Sequence, residues 1–599
     1  MPIQDRFNTF TAFVKRGYDR LLEAQQVRLA GHVEGLPMLA LLGLVSGFVC
    51  GGIIILFRLV VEHGTAAVVP NGSIEGFDSL SPIARLALCI AGGLSVGLLL
   101  QLLKSRARDV GVVHVLERLD YHQGHLPLRN TVVQFIVASI ALISGQSVGR
   151  EGPSVHLGAA GGSLLGRLLR VPNNGVRILV GCGVAAAISA AFNTPLAGVI
   201  FAMEVVIMEY TVIGFTPVIL AAVSSATLTR MLFGDDSAFT VPPMASGALI
   251  ELPVIAMLGA LVGCLAAAFI QLTLLTNSIF GSKPIWLRTL SAGIFTGLIA
   301  FFLPAIMGLG YETINGLIAA QFGLGLVLIL VAAKLIATSV SIGLGMPAGI
   351  IGPTLFIGAA AGAAIGVAMG AFGWSTSSIG FYVILGMASM MAATLQAPLA
   401  ALIYLLELTS SQTVILPGMT AVITASLVTR IVFGRSSIYR HLMLSRGLDY
   451  RNSPLSKALR RIGVASVMDR DILQQAGSIS GLQAEELLKL EPRWILLNDP
   501  HNRLKPSILP ATDLARHLNE LQTNNAQWNK SPDYLDLYKI PAKRLDTASV
   551  TIVATLQEAH EKMQFEQCEV LYITGAHGES KRRIYGVVTR EHIESSYRV

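Results

Sequence analysis

From Leu335 to Leu406 the chain runs for 72 residues without one Asp, Glu, Lys or Arg. About 20 apolar residues already cross a bilayer as a helix. Leu252–Ser282 and Thr289–Tyr311 are charge-free as well. The whole chain of 599 residues is 53% hydrophobic and only 14% charged, where soluble domains carry about 25% charge. A single water-soluble core does not take so many uncharged apolar runs in series. The expectation is an all-α, polytopic, integral membrane protein.

Two short patterns recur inside that apolar region. Gly149-Arg150-Glu151-Gly152-Pro153 with Gly158-Ala159-Ala160 is echoed 200 residues later by Gly349-Ile350-Ile351-Gly352-Pro353 with Gly358-Ala359-Ala360. Pro195-Leu196-Ala197 with Glu204 is echoed 203 residues later by Pro398-Leu399-Ala400 with Glu407. Paired patterns of this kind predict two related halves. Gly- and Pro-rich breaks at matching places point to a binding site at the midplane. Ser154–Leu169, Pro195–Met208 and Thr354–Met369 read as short or broken helices, which membrane depth tolerates only where protein or water surrounds the freed backbone groups.

Met1–Gly35 mixes charges with scattered apolar residues and lacks the apolar core of a signal peptide. It reads as a cytoplasmic lead-in. The formal charge of +7 fits basic cytoplasmic ends under the positive-inside rule. No basic stripe interleaved with aromatics suggests nucleic acid. Cys50, Cys89, Cys182, Cys264 and Cys568 are far apart and without metal-ligand spacing. They read as packing residues.

Near Arg435 the composition turns polar and basic, and from about Gly463 it is that of a soluble α/β domain. Val464–Arg470 resembles the opening of a cystathionine-β-synthase-type (CBS) domain. Val550–Tyr597 resembles a second, with a helix over Val553–Met563 and strands over Glu569–Thr574 and Arg583–Val588. The resemblance implies a paired module, and some such pairs bind adenine nucleotides. The family's Thr/Ser-x-x-Asp ribose contact stands here as Thr589-Arg590-Glu591-His592. Thr589 is retained and the Asp is replaced, which counts against a bound nucleotide. A generic α/β tail is the alternative.

The chemistry concentrates at Glu151. Glycines leave N–H groups accessible, and Pro153 suits a first helical turn. A helix start offers unpaired N–H groups and partial positive charge, which together form an anion site. Gly349–Pro353 repeats the arrangement with no charge. Two such starts facing each other hold a small anion by partial charges alone, weakly enough for it to leave. An ionised Glu151 occupies that site itself and frees it when its charge is lost. An intramembrane carboxylate is a functional hypothesis by default. The plainer reading is a Glu that caps its own helix.

These motifs, in this order and spacing, resemble the CLC family of chloride channels and proton–chloride exchangers over residues 36–445. Gly149–Pro153 matches the second family signature and Gly349–Pro353 the third, with Ile351 where Phe is usual. Asn193–Gly198 and the helix to Glu204 match the segment that follows. Ser437-Ile438-Tyr439 resembles the last membrane helix, whose Tyr donates its hydroxyl to chloride. The resemblance implies two inverted-repeat halves, a homodimer with one pore per subunit, cytoplasmic termini, chloride as ligand and no required cofactor or metal. It makes Glu151 the gate. It places Val110, Gly111, Gly149, Arg150, Gly152, Gly349, Ile350, Ile351 and Tyr439 along the anion path. The domain plan becomes 1–35 N-terminal segment, 36–445 CLC-type membrane domain, 446–462 linker and 463–599 CBS pair.

Two departures bear on mechanism. The first family signature, Gly-Ser-Gly-Ile-Pro, falls on Asp109-Val110-Gly111-Val112-Val113, so Val110 stands where a Ser hydroxyl would face the anion. Exchangers commonly carry two adjacent glutamates where this chain has Glu204 followed by Val205. Val205 cannot relay a proton, which favours passive chloride conduction. Proton-coupled exchange stays the alternative, because water can carry protons too. Outside this class stand a membrane enzyme built on Glu204, Glu407 and the histidines, which no nucleophile or metal motif supports, and a nucleotide-sensing receptor. His114, His122 and His125 near Glu117 and Asp120 resemble loose metal spacing, but the polar segment Arg118–Arg129 reads as a solvated connector instead. Lys334, inside an apolar helix, reads as a snorkelling residue or the partner of a carboxylate.

Overall fold

The computed structural model describes residues 36–69, 76–235, 239, 249–373, 377–448, 454–497, 506–524, 534–575 and 583–596. The expected N-terminal lead-in lies outside them, as does part of the linker. The chain forms two compact units. Of the described residues, one unit holds those between Leu39 and Arg167 and between Val176 and Leu448; the other holds those from Pro454 onward with Leu168–Gly175.

The first unit is helical throughout. Its first half contains α1 (Leu36–Val68), α2 (Pro82–Leu102), α3 (Gly111–Tyr121), α4 (Leu128–Ile143), α5 (Glu151–Leu168), α6 (Asn173–Phe192), α7 (Pro195–Phe201) and α8 (Val212–Phe233). The second half repeats the series as α9 (Leu252–Phe280), α10 (Ile285–Phe302), α11 (Tyr311–Ile318), α12 (Leu324–Gly343), α13 (Ile351–Ala371), α14 (Ile379–Leu395), α15 (Pro398–Thr409) and α16 (Ile415–Leu427), with α17 (Ile438–Ser445) behind it. Among the described residues, nine helices are long and apolar enough to cross a bilayer. The multi-pass membrane class read from composition is therefore the observed one.

The repeat extends to backbone that most residues avoid. Left-handed conformations recur at Gly145 (φ 70°) and Gly345 (φ 88°), Asn193 (φ 59°) and Gln396 (φ 55°), Met208 (φ 55°) and Ser410 (φ 49°). Non-glycine residues pay for such angles, so their recurrence marks the same turns in both halves. Each turn aims the helix start that follows it. Small residues then let the helices touch. A Cβ on Gly158 would lie 2.2 Å from the Gly183 carbonyl, and one on Gly358 would lie 2.2 Å from that of Gly386. This is the close small-residue packing that membrane helices use.

The second unit is α/β. After α18 (Pro454–Arg461) come β1 (Ile472–Gln475), β2 (Ser478–Ser480), α19 (Gly481–Lys489), β3 (Trp494–Leu497), β4 (Ser507–Pro510), α20 (Ala511–Asn524) and β5 (Tyr534–Asp536). Then follow β6 (Leu545–Thr551), α21 (Leu556–Glu566), β7 (Val570–Thr574), β8 (Ile584–Thr589) and α22 (Arg590–Ser595). One sheet runs β1-β3-β4-β6-β7-β8, and β2 pairs with β5. β1/β3 and β6/β7 are parallel, while β3/β4 and β7/β8 are antiparallel. Two copies of one strand–helix–strand–strand–helix plan thus share a sheet. Both expected C-terminal strands form. The helix expected over Val553–Met563 starts later, at Leu556, because Thr555 caps it with Glu558.

Candidate functional site

Two helix starts meet at Gly149 and Gly349. Each donates its N–H to the other's carbonyl at 2.7 Å, an isolated antiparallel bridge between the halves. α5 and α13 begin two residues later. Their first amides, which have no acceptor within the helix, converge with the positive ends of both dipoles. Only glycine allows this approach: a Cβ on Gly349 would lie 2.5 Å from the Gly152 nitrogen.

Glu151 is fully buried there. Its Oε2 accepts the Gly352 N–H at 3.0 Å, and its Oε1 accepts the Tyr311 hydroxyl at 2.6 Å. A carboxylate from one half thus sits on the open amide of the other. Helix self-capping does not describe this contact, because the amide belongs to α13. Ile350 and Ile351 supply the neighbouring positions of that start. Arg150, expected along the path, turns its guanidinium elsewhere. It donates to the Ala191 carbonyl at 3.1 Å, lies 3.8 Å from Glu62 and covers the Tyr311 ring at 5.3 Å.

Tyr439 is buried, as expected of the last helix, and so is Tyr404 on α15. Among the described residues, neither hydroxyl has a hydrogen-bond partner. Buried polar atoms are normally paired. Two buried hydroxyls are thus donors without an acceptor among the described residues.

A cavity of about 1210 Å³ reaches Gly152, Gly349, Ile350 and Tyr439, with Val110 and Gly111 on its wall. Arg108, Arg288 and Arg446 line it against Asp109 and Glu117. Arg446 lies 3.8 Å from Asp109, while Arg288 donates to the neutral Asn277 side chain and Gly343 carbonyl. The excess of positive charge favours anion entry. Val110 sits at the cap of α3 and gives no side-chain cap. The Gly111 N–H is already spent on Gln134 Oε1 at 2.6 Å, and Gln134 also donates to the Pro347 carbonyl at 3.1 Å.

The second repeated motif has a structural use. Glu204 accepts the N–H groups of Leu399 (3.2 Å) and Ala400 (2.7 Å), the first turn of α15. Glu407 accepts those of Leu196 (2.8 Å) and Ala197 (2.7 Å), the first turn of α7. Each carboxylate caps the other half's helix. Val205 is buried in the π-helical turn Ala202–Ile207 that follows α7.

Three other expectations meet the structure. His114 is buried rather than solvated, 2.9 Å from His156 through ring nitrogens. It faces into the bundle because α3 buries most of its length. Lys334 is fully buried and does not snorkel. It donates to the Ile306 and Gly308 carbonyls at 2.9 Å each and lies over the Phe356 ring. In the α/β unit, the Thr589 hydroxyl accepts the His592 N–H at 3.2 Å and His592 Nδ1 accepts the Thr589 N–H at 3.3 Å. The residue matched to a ribose contact is thus engaged as the cap of α22.

Sequence reading missed Tyr311, Tyr404 and Gln134. The repeat held a signal for Tyr311: Gly310 (φ 78°) opens α11 as Gly111 (φ 82°) opens α3, so the residue after Gly310 faces the same centre from the other half.

The model of the voltage gated chloride channel family matches residues 92–430. The chain belongs to the CLC family. It is 33% identical over 431 residues to a protein of Ralstonia nicotianae named as chloride channel protein ClcB-like, covering 70% of this chain and all of that one. It is 32% identical over 322 residues to the H(+)/Cl(-) exchange transporter ClcA of Vibrio cholerae, covering 52% and 68%. Among solved CLC structures, a slow cyanobacterial Cl-/H+ antiporter shares the fold at TM-score 0.62 and 23% identity, over 69% of this chain and 99% of that one. A eukaryotic CLC transporter shares it at TM-score 0.57 and 20% identity, over 92% and 97%.

Proposed function

We propose that this CLC protein passes chloride or a similar small anion across a membrane, with Glu151 as the gate. The observation that carries the reading is the Glu151 carboxylate seated on the Gly352 amide. A group that occupies an amide site as an anion also marks where a permeant anion binds when that group leaves. The helix starts at Gly149–Gly152 and Gly349–Ile351 then hold the ion by backbone dipoles. Tyr439 and Tyr404 donate their free hydroxyls, and the arginine-lined cavity feeds the path. Val110 contributes no donor, so binding leans on amides and tyrosines. The protein works as a homodimer with cytoplasmic termini, and the α/β unit is a CBS pair that regulates without a nucleotide ribose at Thr589.

The mode is passive conduction, because Val205 offers no proton relay. Proton-coupled exchange is the second reading, favoured by the relatedness to the Vibrio exchange transporter. Two measurements on one liposome preparation test both. Anion flux is compared for wild type, Glu151→Gln and Glu151→Ala; loss of gating with retained passage is expected, and unchanged flux and pH response in both variants rejects the gate. Proton movement under a chloride gradient then decides the mode. Uphill proton transport rejects passive conduction.

A further inference from the structure

We infer that Tyr311 is a latch that holds the gating glutamate shut. The inference rests on the gate reading above and names the residue that sets how readily the gate opens.

Glu151 is held by two donors, one per carboxylate oxygen. The Gly352 amide is the anion site itself, and a permeant ion competes for it directly. The Tyr311 hydroxyl, at 2.6 Å, belongs to the carboxylate's other oxygen. It is a short, charge-assisted bond in a buried place, the stronger class of hydrogen bond. An ion arriving at Gly352 therefore displaces only half of the hold. The rest has to be broken by thermal motion or by loss of the carboxylate charge.

The scaffold keeps this hydroxyl in place. Gly310, at φ 78°, turns the chain into α11, and a Cβ there would lie 2.6 Å from the Phe356 ring. The segment just before is anchored by Lys334 at the Ile306 and Gly308 carbonyls and by the Gly308 N–H on the Gly145 carbonyl at 3.2 Å. The Tyr311 ring packs on Phe239 at 4.9 Å, with the Arg150 guanidinium over it. A tyrosine fixed by its ring and by its backbone presents its hydroxyl without paying rotamer entropy at each closing. The latch and the gate thus come from opposite halves of the repeat, like the bridge at Gly149 and Gly349.

Tyr311→Phe removes the hydroxyl and keeps the ring, its packing and its helix position. The test is anion flux per folded protein in liposomes at neutral pH, for wild type, Tyr311→Phe, Glu151→Ala and the double variant. Loss of one charge-assisted hydrogen bond predicts a rise of about ten-fold in flux for Tyr311→Phe. The same change added to Glu151→Ala leaves flux unaltered, since no carboxylate remains to be held. A merely structural tyrosine gives lower flux in both backgrounds and overturns the latch. So does an equal rise in both. If Glu151→Ala itself leaves flux unchanged, the gate reading falls and takes the latch with it. An open Glu151→Ala beside an unaltered Tyr311→Phe defeats the latch alone.

Discussion

Gly149 and Gly349 exchange both backbone hydrogen bonds across the repeat, each at 2.7 Å. The bridge joins two helices that would otherwise repel, since both turn their positive ends toward one centre. It fixes the position of the Gly352 amide that Glu151 occupies, and at Gly349 a side chain would run into backbone. In Gly349→Ala the new methyl meets the Gly152 nitrogen at 2.5 Å and the Gly149 carbonyl at 2.8 Å. Backbone on both sides cannot give way. The expected outcome is destabilisation of about 3 kcal/mol or more, read as a lowered melting temperature in detergent. Wild-type melting with intact flux contradicts the bridge.

Glu204 and Glu407 predict a symmetric pair of effects. Each caps the first turn of the other half's helix through two amides. Gln keeps one acceptor oxygen and loses the charge. Glu204→Gln and Glu407→Gln should each cost about 1–2 kcal/mol of stability, with anion flux per folded molecule unchanged. Thermal unfolding of the two variants checks it. A large loss in one and none in the other shows that the contacts are not equivalent.

What the sequence makes legible is what leaves a local mark. Gly149–Pro153 and Gly349–Pro353 stand out because only glycine fits a backbone-to-backbone approach, and proline is tolerated in the first turn of a helix. The charge-free run gives the membrane class for a similar reason: lipid taxes every charge along it. Glu204 and Glu407 are visible as a repeat, yet their mutual capping depends on helices about 200 residues apart. Tyr404 and Gln134 leave no pattern, and Tyr311 is marked only by Gly310, which repeats Gly111. The meaning of each is set by what the fold places opposite it. His114 misleads because the polar residues after it suggest solvent, whereas its helix is inserted into the bundle.

Val110 predicts a gain of function. It lines the cavity with Tyr439, at the cap of α3, where a hydroxyl is missing. Val110→Ser adds a donor next to the proposed anion path and removes little volume. One further hydrogen bond to a desolvated anion should tighten chloride binding by about three- to ten-fold. Isothermal titration of the purified protein with chloride measures it. Unchanged affinity places the ion away from α3.

His592 predicts an acid-sensitive α/β unit. Burial pushes its imidazole below the usual range, and the nearby Arg493 adds to this, while Asp469 and Glu591 oppose it. The neutral ring is also the form that accepts the Thr589 N–H, so a proton on Nδ1 breaks the α22 cap. The sign follows from linkage. The unfolded chain binds the proton more readily than the folded one, so folded stability is full above the ordinary histidine value of about 6.5 and falls as pH drops through it. An Asp at this position also accepts the cap hydrogen bond and stays ionised at these pH values. In the full-length protein, hydrogen exchange across residues 584–596 should quicken between about pH 6.5 and 5 for wild type, and stay level for His592→Asp after correction for intrinsic exchange rates. The same acid response in both would assign the sensitivity to another group.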